Sequence, residues 1–357
     1  MKEAIVAKGP KVTIHDVPIP TPNADQVLIK VIYSGSNPKD WKRPQLYEPH
    51  NSGDDIAGIV ESVGENVTEF KKGDRVAAFH QMMSDHGSFA EYAIAWAYTT
   101  FHLPKKTSFE EAATIPLAAM TAAVGLYQRL SLPEPWNATT TQTPLIVYGA
   151  SGAVGAYTIK LAQMSNIHPI IAVAGRGQSF VEGLITRSKG DTIVDYRNGD
   201  EAVVSGIKEA LSKAGAKEVK YAFDAVSEKN SFQNISQVLS KQGGSQITLV
   251  LPGSDYKEIP DYIQKSTTMV GSVHMDIPAD STEGKAGIKT GGKDFGYVFF
   301  RFFGRGLQEG WFTAHPHEVI PGGLNGIEQG LTNLKNGVNS ATKYVFKIGE
   351  TKEATKI

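Results

Sequence analysis

The stretch Leu145-Ile146-Val147-Tyr148-Gly149-Ala150-Ser151-Gly152-Ala153-Val154-Gly155 runs from four strand-forming residues through a glycine turn into an apolar segment. Gly149, Gly152 and Gly155 stand three apart, and Ala153, Val154, Ile159 and Leu161 continue with helical spacing. A strand that turns at glycine into a helix presents the first amides of that helix, with their partial positive charge, to an anion. Gly152 then permits close approach of a pyrophosphate, and Gly155 lets the helix pack tightly on the strand. The turn is read as a dinucleotide site formed by Ser151, Gly152, Ala153, Val154 and Gly155. A glycine turn that serves helix packing alone is the other reading.

Downstream, apolar runs at 170–174, 192–194, 221–224, 246–251 and 268–273 alternate with helical segments and, with 145–148, make six strands. That alternation is the signature of βαβ units feeding a doubly wound parallel sheet covered on both faces. Where the second strand ends, Ala172-Val173-Ala174-Gly175-Arg176 offers no carboxylate to bond an adenosine 2′-hydroxyl. Arg176 suits a 2′-phosphate instead, by charge and bidentate geometry, which points to NADPH. Residues 276–293 are rich in Gly, Pro, Ser and Lys, and the aromatic cluster at 297–303 has the spacing of a core-facing helix. A turn and amphipathic helix over 319–335 and a strand at 344–348 follow.

Upstream, β-rich runs at 27–32, 56–63 and 75–79 lie between Gly, Pro, Asn and Asp turn clusters. Ser108 as N-cap, Glu110 and Glu111 in a first turn, and an Ala-rich stretch reaching residue 130 predict one long helix. The Pro- and Thr-rich residues 132–143 predict a surface loop. There is no internal repeat.

Composition narrows the function classes. At 357 residues the chain favours two domains over one. Its 36 basic and 37 acidic side chains nearly cancel, which leaves no footprint for nucleic acid or anionic membranes. No apolar run is long enough to span a bilayer and no signal-peptide pattern opens the chain, so a cytoplasmic location is expected. Cysteine is absent, which removes disulfides, thiolate nucleophiles and sulfur-ligated zinc. The nine histidines form no paired helical metal motif.

Several strings resemble the medium-chain dehydrogenase/reductase superfamily, in particular its zinc-independent quinone and enoyl reductase branches. Ser36-Asn37-Pro38-Lys39-Asp40-Trp41-Lys42 is similar to their Asn-Pro-x-Asp signature, and Gly53-Asp54-Asp55-Ile56-Ala57-Gly58-Ile59-Val60 to the segment that follows it. Gly73-Asp74-Arg75-Val76, Gly87-Ser88-Phe89-Ala90-Glu91-Tyr92, Met120-Thr121-Ala122 and Asp195-Tyr196-Arg197 fall in the same order. The alcohol dehydrogenase branch carries Cys where Asn37 stands and His where Asp54 stands, so the resemblance implies no metal. The loop at 132–144 and the segment before Phe295 resemble insertions of fungal enoyl reductases that act in trans on a polyketide synthase.

The resemblance implies an α/β protein with a GroES-like β-rich catalytic domain of residues 1–124 and 273–357 and a Rossmann NADPH-binding domain of residues 125–272. It places the nicotinamide in a cleft between them, with Thr121 near the carboxamide, Tyr196 near the adenosine phosphate, Leu251 beside the ring and Lys343 as a further cofactor contact. Hydride delivered to the β-carbon of an unsaturated carbonyl generates an enolate whose oxygen needs stabilising. Asn37, Lys39, Lys42 and Tyr47 are the substrate-side candidates, with Asn37, Lys42 and Tyr47 as the catalytic set and Tyr47 as a proton donor. Asp40 is expected to organise this loop. The implied activity is NADPH-dependent reduction of an activated carbon-carbon double bond in an enoyl thioester, enone or quinone. A zinc-free aldehyde or carbonyl reductase and a non-catalytic NADPH-binding partner remain alternatives. The expected partner is a small molecule, free or carrier-tethered to a polyketide synthase, and the chain is expected to be a monomer or a homodimer paired through the last sheet strand.

Overall fold

A computed structural model describes residues 1–276 and 292–352. The insertion read at 276–293 therefore lies, but for its ends, outside the described residues. The chain divides into two compact units, Met1–Met120 with Gly271–Ile357, and Thr121–Val270. The division expected at 124/125 and 272/273 lies a few residues further on, inside Val124–Arg129 and Val270–His274.

The first unit is built on a seven-stranded sheet whose central strand, Gln26–Gly35, pairs with Asp55–Val63, Tyr92–Trp96 and Lys343–Lys347. All three pairings are antiparallel. Val27, Ile29 and Val31 alternate onto the buried face of that strand and pack with Ile56, Val60, Val76, Phe89 and Phe346. Such period-two burial is what one covered sheet face requires. Phe89 meets Phe346 edge to face at 5.7 Å, a favoured arrangement of two ring quadrupoles. Register shifts beside Ile29 and Tyr33 bend the central strand. Arg75–Phe79, Thr100–His102 and His317–Ile320 complete the sheet, and Lys2–Ala7 pairs with Lys11–Asp16 as a separate ribbon.

The second unit carries six parallel strands in the order Thr192–Asp195, Ile170–Ala174, Leu145–Tyr148, Tyr221–Asp224, Ser245–Leu249, Ile263–Thr267. Strand order reverses between the first and fourth strands of the unit, the point at which open α/β sheets bind ligands. The sixth strand is not the apolar run 268–273, part of which forms the 3-10 helix Val270–His274. Ile263–Thr267 pairs instead, and its exposed Gln264 and Lys265 mark a polar edge. Edge strands carry such residues to discourage further pairing, which hides them from a scan for apolar runs.

The helix predicted from residue 109 to 130 is broken. Ser108 and Glu111 form a capping box around Phe109–Ala112, but Pro116 lacks the amide that would continue it and restarts the helix as Pro116–Ala123. The chain then widens into the π-helical turn Val124–Arg129, where a Cβ on Gly125 would lie 2.1 Å from the Phe223 ring. The aromatic helix is observed at Gly292–Glu309, with Phe299, Phe300 and Phe303 buried. Among the described residues, no helix is long and apolar enough to cross a membrane.

Candidate functional sites in the two units

In the second unit, Leu145–Tyr148 is buried throughout and delivers the chain to Gly149, whose φ of +80° suits glycine. Gly152 is the N-cap of the helix Ala153–Met164, and no side-chain hydrogen bond caps this N-terminus. The glycines have separable tasks. A Cβ on Gly155 would lie 2.3 Å from the Gly149 carbonyl oxygen, so this position is closed by the fold itself. A Cβ on Gly152 would meet only that oxygen, at 3.4 Å, and otherwise enters open space. Gly152 is exposed, with Ser151, Ala153 and Val154 half-buried around it. An uncapped helix start behind an open glycine fits an approaching pyrophosphate.

Ala174 and Asp195 are register partners on neighbouring strands, and the chain continues from them to Arg176 and Tyr196, both exposed. A Cβ on Gly175 would strike the Tyr196 ring at 2.6 Å, so this glycine lets the ring lie against the backbone beside Arg176. Arg197 is clamped by Asp195 (Nη2 to Oδ2 2.6 Å, Nε to Oδ1 3.0 Å). That hydrogen-bonded pairing holds the Asp195 carboxyl well below its ordinary range. Thr121 is buried in Pro116–Ala123, and Leu251 is half-buried just beyond Ser245–Leu249. Asp224, at the end of its strand, accepts from the Val226 and Ser227 amides (3.0 and 2.8 Å) and from Ser231 Oγ (2.6 Å). Ser227 Oγ in turn accepts from the Val250 amide, tying the ends of adjacent strands. Burial pushes the Asp224 carboxyl up to about 6 against the pull of those donors.

In the first unit, Asn37 caps the short helix Pro38–Lys42, its backbone amide donating to Asp40 Oδ2 at 2.7 Å. The Asn37 amide group is fixed at both ends. Nδ2 donates to Asp55 Oδ2 at 2.7 Å, and Oδ1 accepts from Lys343 Nζ at 3.1 Å. Lys343 Nζ also lies 2.6 Å from Asp55 Oδ2 and 3.5 Å from the Thr114 carbonyl, while Asp55 Oδ1 accepts from the Leu117 amide at 2.7 Å. Asp55 and Lys343 are almost wholly buried, so this is a dry ion pair with its polar atoms satisfied, the condition under which such a pair is tolerated. The sequence resemblance assigned Lys343 to the cofactor, whereas here its ammonium already serves three oxygens of the first unit.

A second cluster lies alongside. Lys39 Nζ contacts Asp40 Oδ1 (2.9 Å), Asp54 Oδ2 and the Ser52 carbonyl. With its three donors facing three oxygens, Lys39 is not an available oxyanion donor. Burial pushes the Asp40 carboxyl up to about 7 and Asp54 to about 6, with Lys39 opposing the shift in each. Lys42 lies 5.7 Å from the Trp41 ring centroid, and Tyr47 is exposed beyond the 3-10 turn Arg43–Gln45. The structure thus joins Asn37 to Lys343 and leaves Tyr47 at the surface.

Sequence reasoning missed the partners of these charges. One signal was available: Asp54-Asp55 opens an apolar run, and buried carboxylates require cations. It also missed His80 and His274, which burial disfavours as cations, His274 being lowered to about 3. Among the described residues, no group of three or more His, Asp or Glu is placed to hold a metal ion.

Residues 23–105 match the alcohol dehydrogenase GroES-like domain. The chain is 50% identical over 331 residues to the trans-enoyl reductase fsr4 of Gibberella fujikuroi, covering 91% of this chain and 92% of that one. It is 31% identical to the trans-enoyl reductase resD of Aspergillus sclerotiorum, covering 96% and 98%. Among solved structures, an alcohol dehydrogenase superfamily protein from Novosphingobium aromaticivorans superposes with a TM-score of 0.75 at 19% identity, covering 97% of this chain and 99% of that one.

Proposed function

The chain belongs to the trans-enoyl reductases of the medium-chain dehydrogenase/reductase superfamily, and on that premise we propose that it reduces the activated carbon-carbon double bond of an enoyl thioester with NADPH. The observation that carries this reading is the open glycine at an uncapped helix N-terminus, with an arginine and no carboxylate beyond the neighbouring strand. NADPH, when bound, supplies the hydride. Gly152 and the amides of residues 153 and 154 would hold its pyrophosphate, and Arg176 with Tyr196 its adenosine phosphate.

Hydride addition at the β-carbon moves charge to the thioester oxygen, and an enolate oxygen is stabilised by a preplaced positive charge or hydrogen-bond donor. Lys42 is the residue we assign to that task. Asn37 is a weaker donor than the sequence suggested, because one Nδ2 proton is already given to Asp55. Its place in the network supports the helix that carries Lys42. The α-carbon then takes a proton from an acid or from water, for which Tyr47 is the side-chain candidate. The family resemblance supports an acyl chain delivered on the carrier of a polyketide synthase, and metal-free chemistry accords with a donor set of Asn, Asp and Lys.

The test is loss of reduced-nicotinamide absorbance with a short enoyl thioester of pantetheine, beside an enone, a quinone and an aldehyde. Turnover of the thioester supports the proposal. Turnover of the aldehyde alone assigns a carbonyl reductase, and tight NADPH binding with no turnover of any substrate assigns a binding partner.

A further inference from the structure

The Lys39 ammonium occupies a site with the make-up of a cation cage. Three oxygens surround it: Asp40 Oδ1 at 2.9 Å, Asp54 Oδ2 and the carbonyl of Ser52. Both carboxyl side chains are buried, Asp40 completely and Asp54 to within 2%. Apart from their contact with the ammonium, Asp40 Oδ1 and Asp54 Oδ2 have no hydrogen-bond partner among the described residues. Two buried carboxylate oxygens aimed at one point are unfavourable unless a cation stands there.

The rest of the cage is rigid. Ser52 Oγ donates to the Asp40 carbonyl at 3.0 Å, and the Asp54 carbonyl accepts from the His80 amide at 2.9 Å. The other oxygen of Asp40 holds the Asn37 backbone amide. Arg43 acts on Asp54 more weakly than Lys39 does. The Lys39 side chain is 19% exposed, so it reaches the cage from the solvent side.

We propose that Asp40, Asp54 and the Ser52 carbonyl form a site for a small monovalent cation, that Lys39 fills it as a tethered ammonium, and that through Asp40 this cation fixes the start of the helix bearing Lys42. Lys39 is on this account a positioning residue. When its side chain is shortened, the cage is open to ammonium or methylammonium from solution. Cation occupancy stands independently of the enoyl reductase reading, while the effect on turnover rests on it.

The experiment is a thermal unfolding series on the full chain. Lys39→Ala should lower the midpoint by about 5 °C or more, and ammonium chloride should recover most of that loss with a saturable dose dependence. Tetramethylammonium chloride, larger than ammonium and with no N–H to donate to the three oxygens, should not do so at equal ionic strength. The response should vanish in the Lys39→Ala, Asp54→Asn double variant. Equal recovery by both salts, or no greater response in Lys39→Ala than in the parent, overturns the proposal.

Should Lys39→Ala not fold, Lys39→Met keeps the side-chain volume, and adding Asp54→Asn to it should raise the midpoint by removing an orphaned charge. No gain there also overturns the proposal. Ammonium should restore enoyl turnover in Lys39→Ala in parallel with stability. Restored stability without restored turnover keeps the cation site and rejects the positioning role.

Discussion

Gly155 backs onto Gly149 so closely that a Cβ would lie 2.3 Å from the Gly149 carbonyl oxygen, while the same atom on Gly152 clears it at 3.4 Å. Gly155→Ala should therefore destabilise the protein by about 1–3 kcal/mol through overpacking, measured by urea unfolding. Gly152→Ala should leave stability within about 0.5 kcal/mol and weaken NADPH binding by roughly tenfold or more, measured by titration calorimetry. Equal loss of stability in both variants would refute the separation of tasks.

Arg176 is exposed beside Tyr196 and is positioned by a strand end with no carboxylate. Arg176→Ala should cost NADPH about 1.5–3 kcal/mol of binding, the usual worth of a charge-assisted hydrogen bond, and leave NADH affinity nearly unchanged. Parallel titrations with the two cofactors check this. Equal losses would mean that the guanidinium does not meet the 2′-phosphate.

Lys343 and Asp55 lie 2.6 Å apart and out of water. Removing the cation alone, as Lys343→Met, should cost about 3–5 kcal/mol, because Asp55 is left buried and charged. Lys343→Met combined with Asp55→Asn should recover part of that loss in a double-mutant cycle by urea unfolding. Strict additivity would show that the pair is not coupled.

Three buried carboxyls should each contribute a loss of stability as pH rises towards neutrality, opposite in sign to the contribution of buried His80 and His274. Burial raises the carboxyls of Asp224 to about 6, Asp54 to about 6 and Asp40 to about 7. A raised carboxyl binds its proton more tightly in the folded chain than in the unfolded one. Its contribution is therefore complete below the ordinary aspartate value and is lost as pH passes through the raised value. Asp224→Asn keeps an acceptor for the two amides and should remove a share of this slope worth about 3 kcal/mol. Unfolding midpoints of parent and variant between about pH 4 and 8 decide it, and identical slopes would remove Asp224 as a contributor.

Tyr47 is 55% exposed, and an α-carbon can take its proton from water. Tyr47→Phe should leave folding intact and turnover within about threefold of the parent. A loss of a hundredfold, with unchanged NADPH affinity, would make Tyr47 the proton donor.

The parts of the fold legible in the sequence are those governed by local chemistry. Leu145–Tyr148, Ile170–Ala174 and Tyr221–Asp224 are short runs of apolar or aromatic residues bounded by turns, and each folds where its residues point. The sixth strand escapes a search for apolar runs because an edge strand need not be apolar. Ile263–Thr267 is polar and holds its register through backbone pairing with Ser245–Leu249. The helix break at Pro116 was foreseeable from the missing amide, but the Ala-rich run around it masked the signal.

The strand Leu145–Tyr148, its glycine turn and the helix Ala153–Met164 were legible because they are contiguous in sequence. The charge networks were not. Asn37, Asp55 and Lys343 meet through the sheet, and nothing local to Lys343 distinguishes a buried ammonium from a cofactor contact. Lys39 likewise carries no local mark of its ion pairs, since its partners at Ser52 and Asp54 are brought to it from the stretch that leads into the following strand.

The strand Lys343–Lys347 completes the central sheet by pairing Val345 with Gly35, and it brings Lys343 to Asp55 across 288 residues of chain. The second unit, by contrast, draws all six of its strands from one continuous stretch. On the ribosome the order of completion is therefore inverted. The inserted unit can finish folding while the unit that was begun first still lacks His317–Ile320, Lys343–Lys347 and the cation for Asp55. At ordinary rates of synthesis that interval lasts about 4–15 s, during which the Tyr33–Gly35 end of the central strand lacks its partner and is open to chance pairing. The nascent chain is most exposed to chaperones and to misassembly in that window.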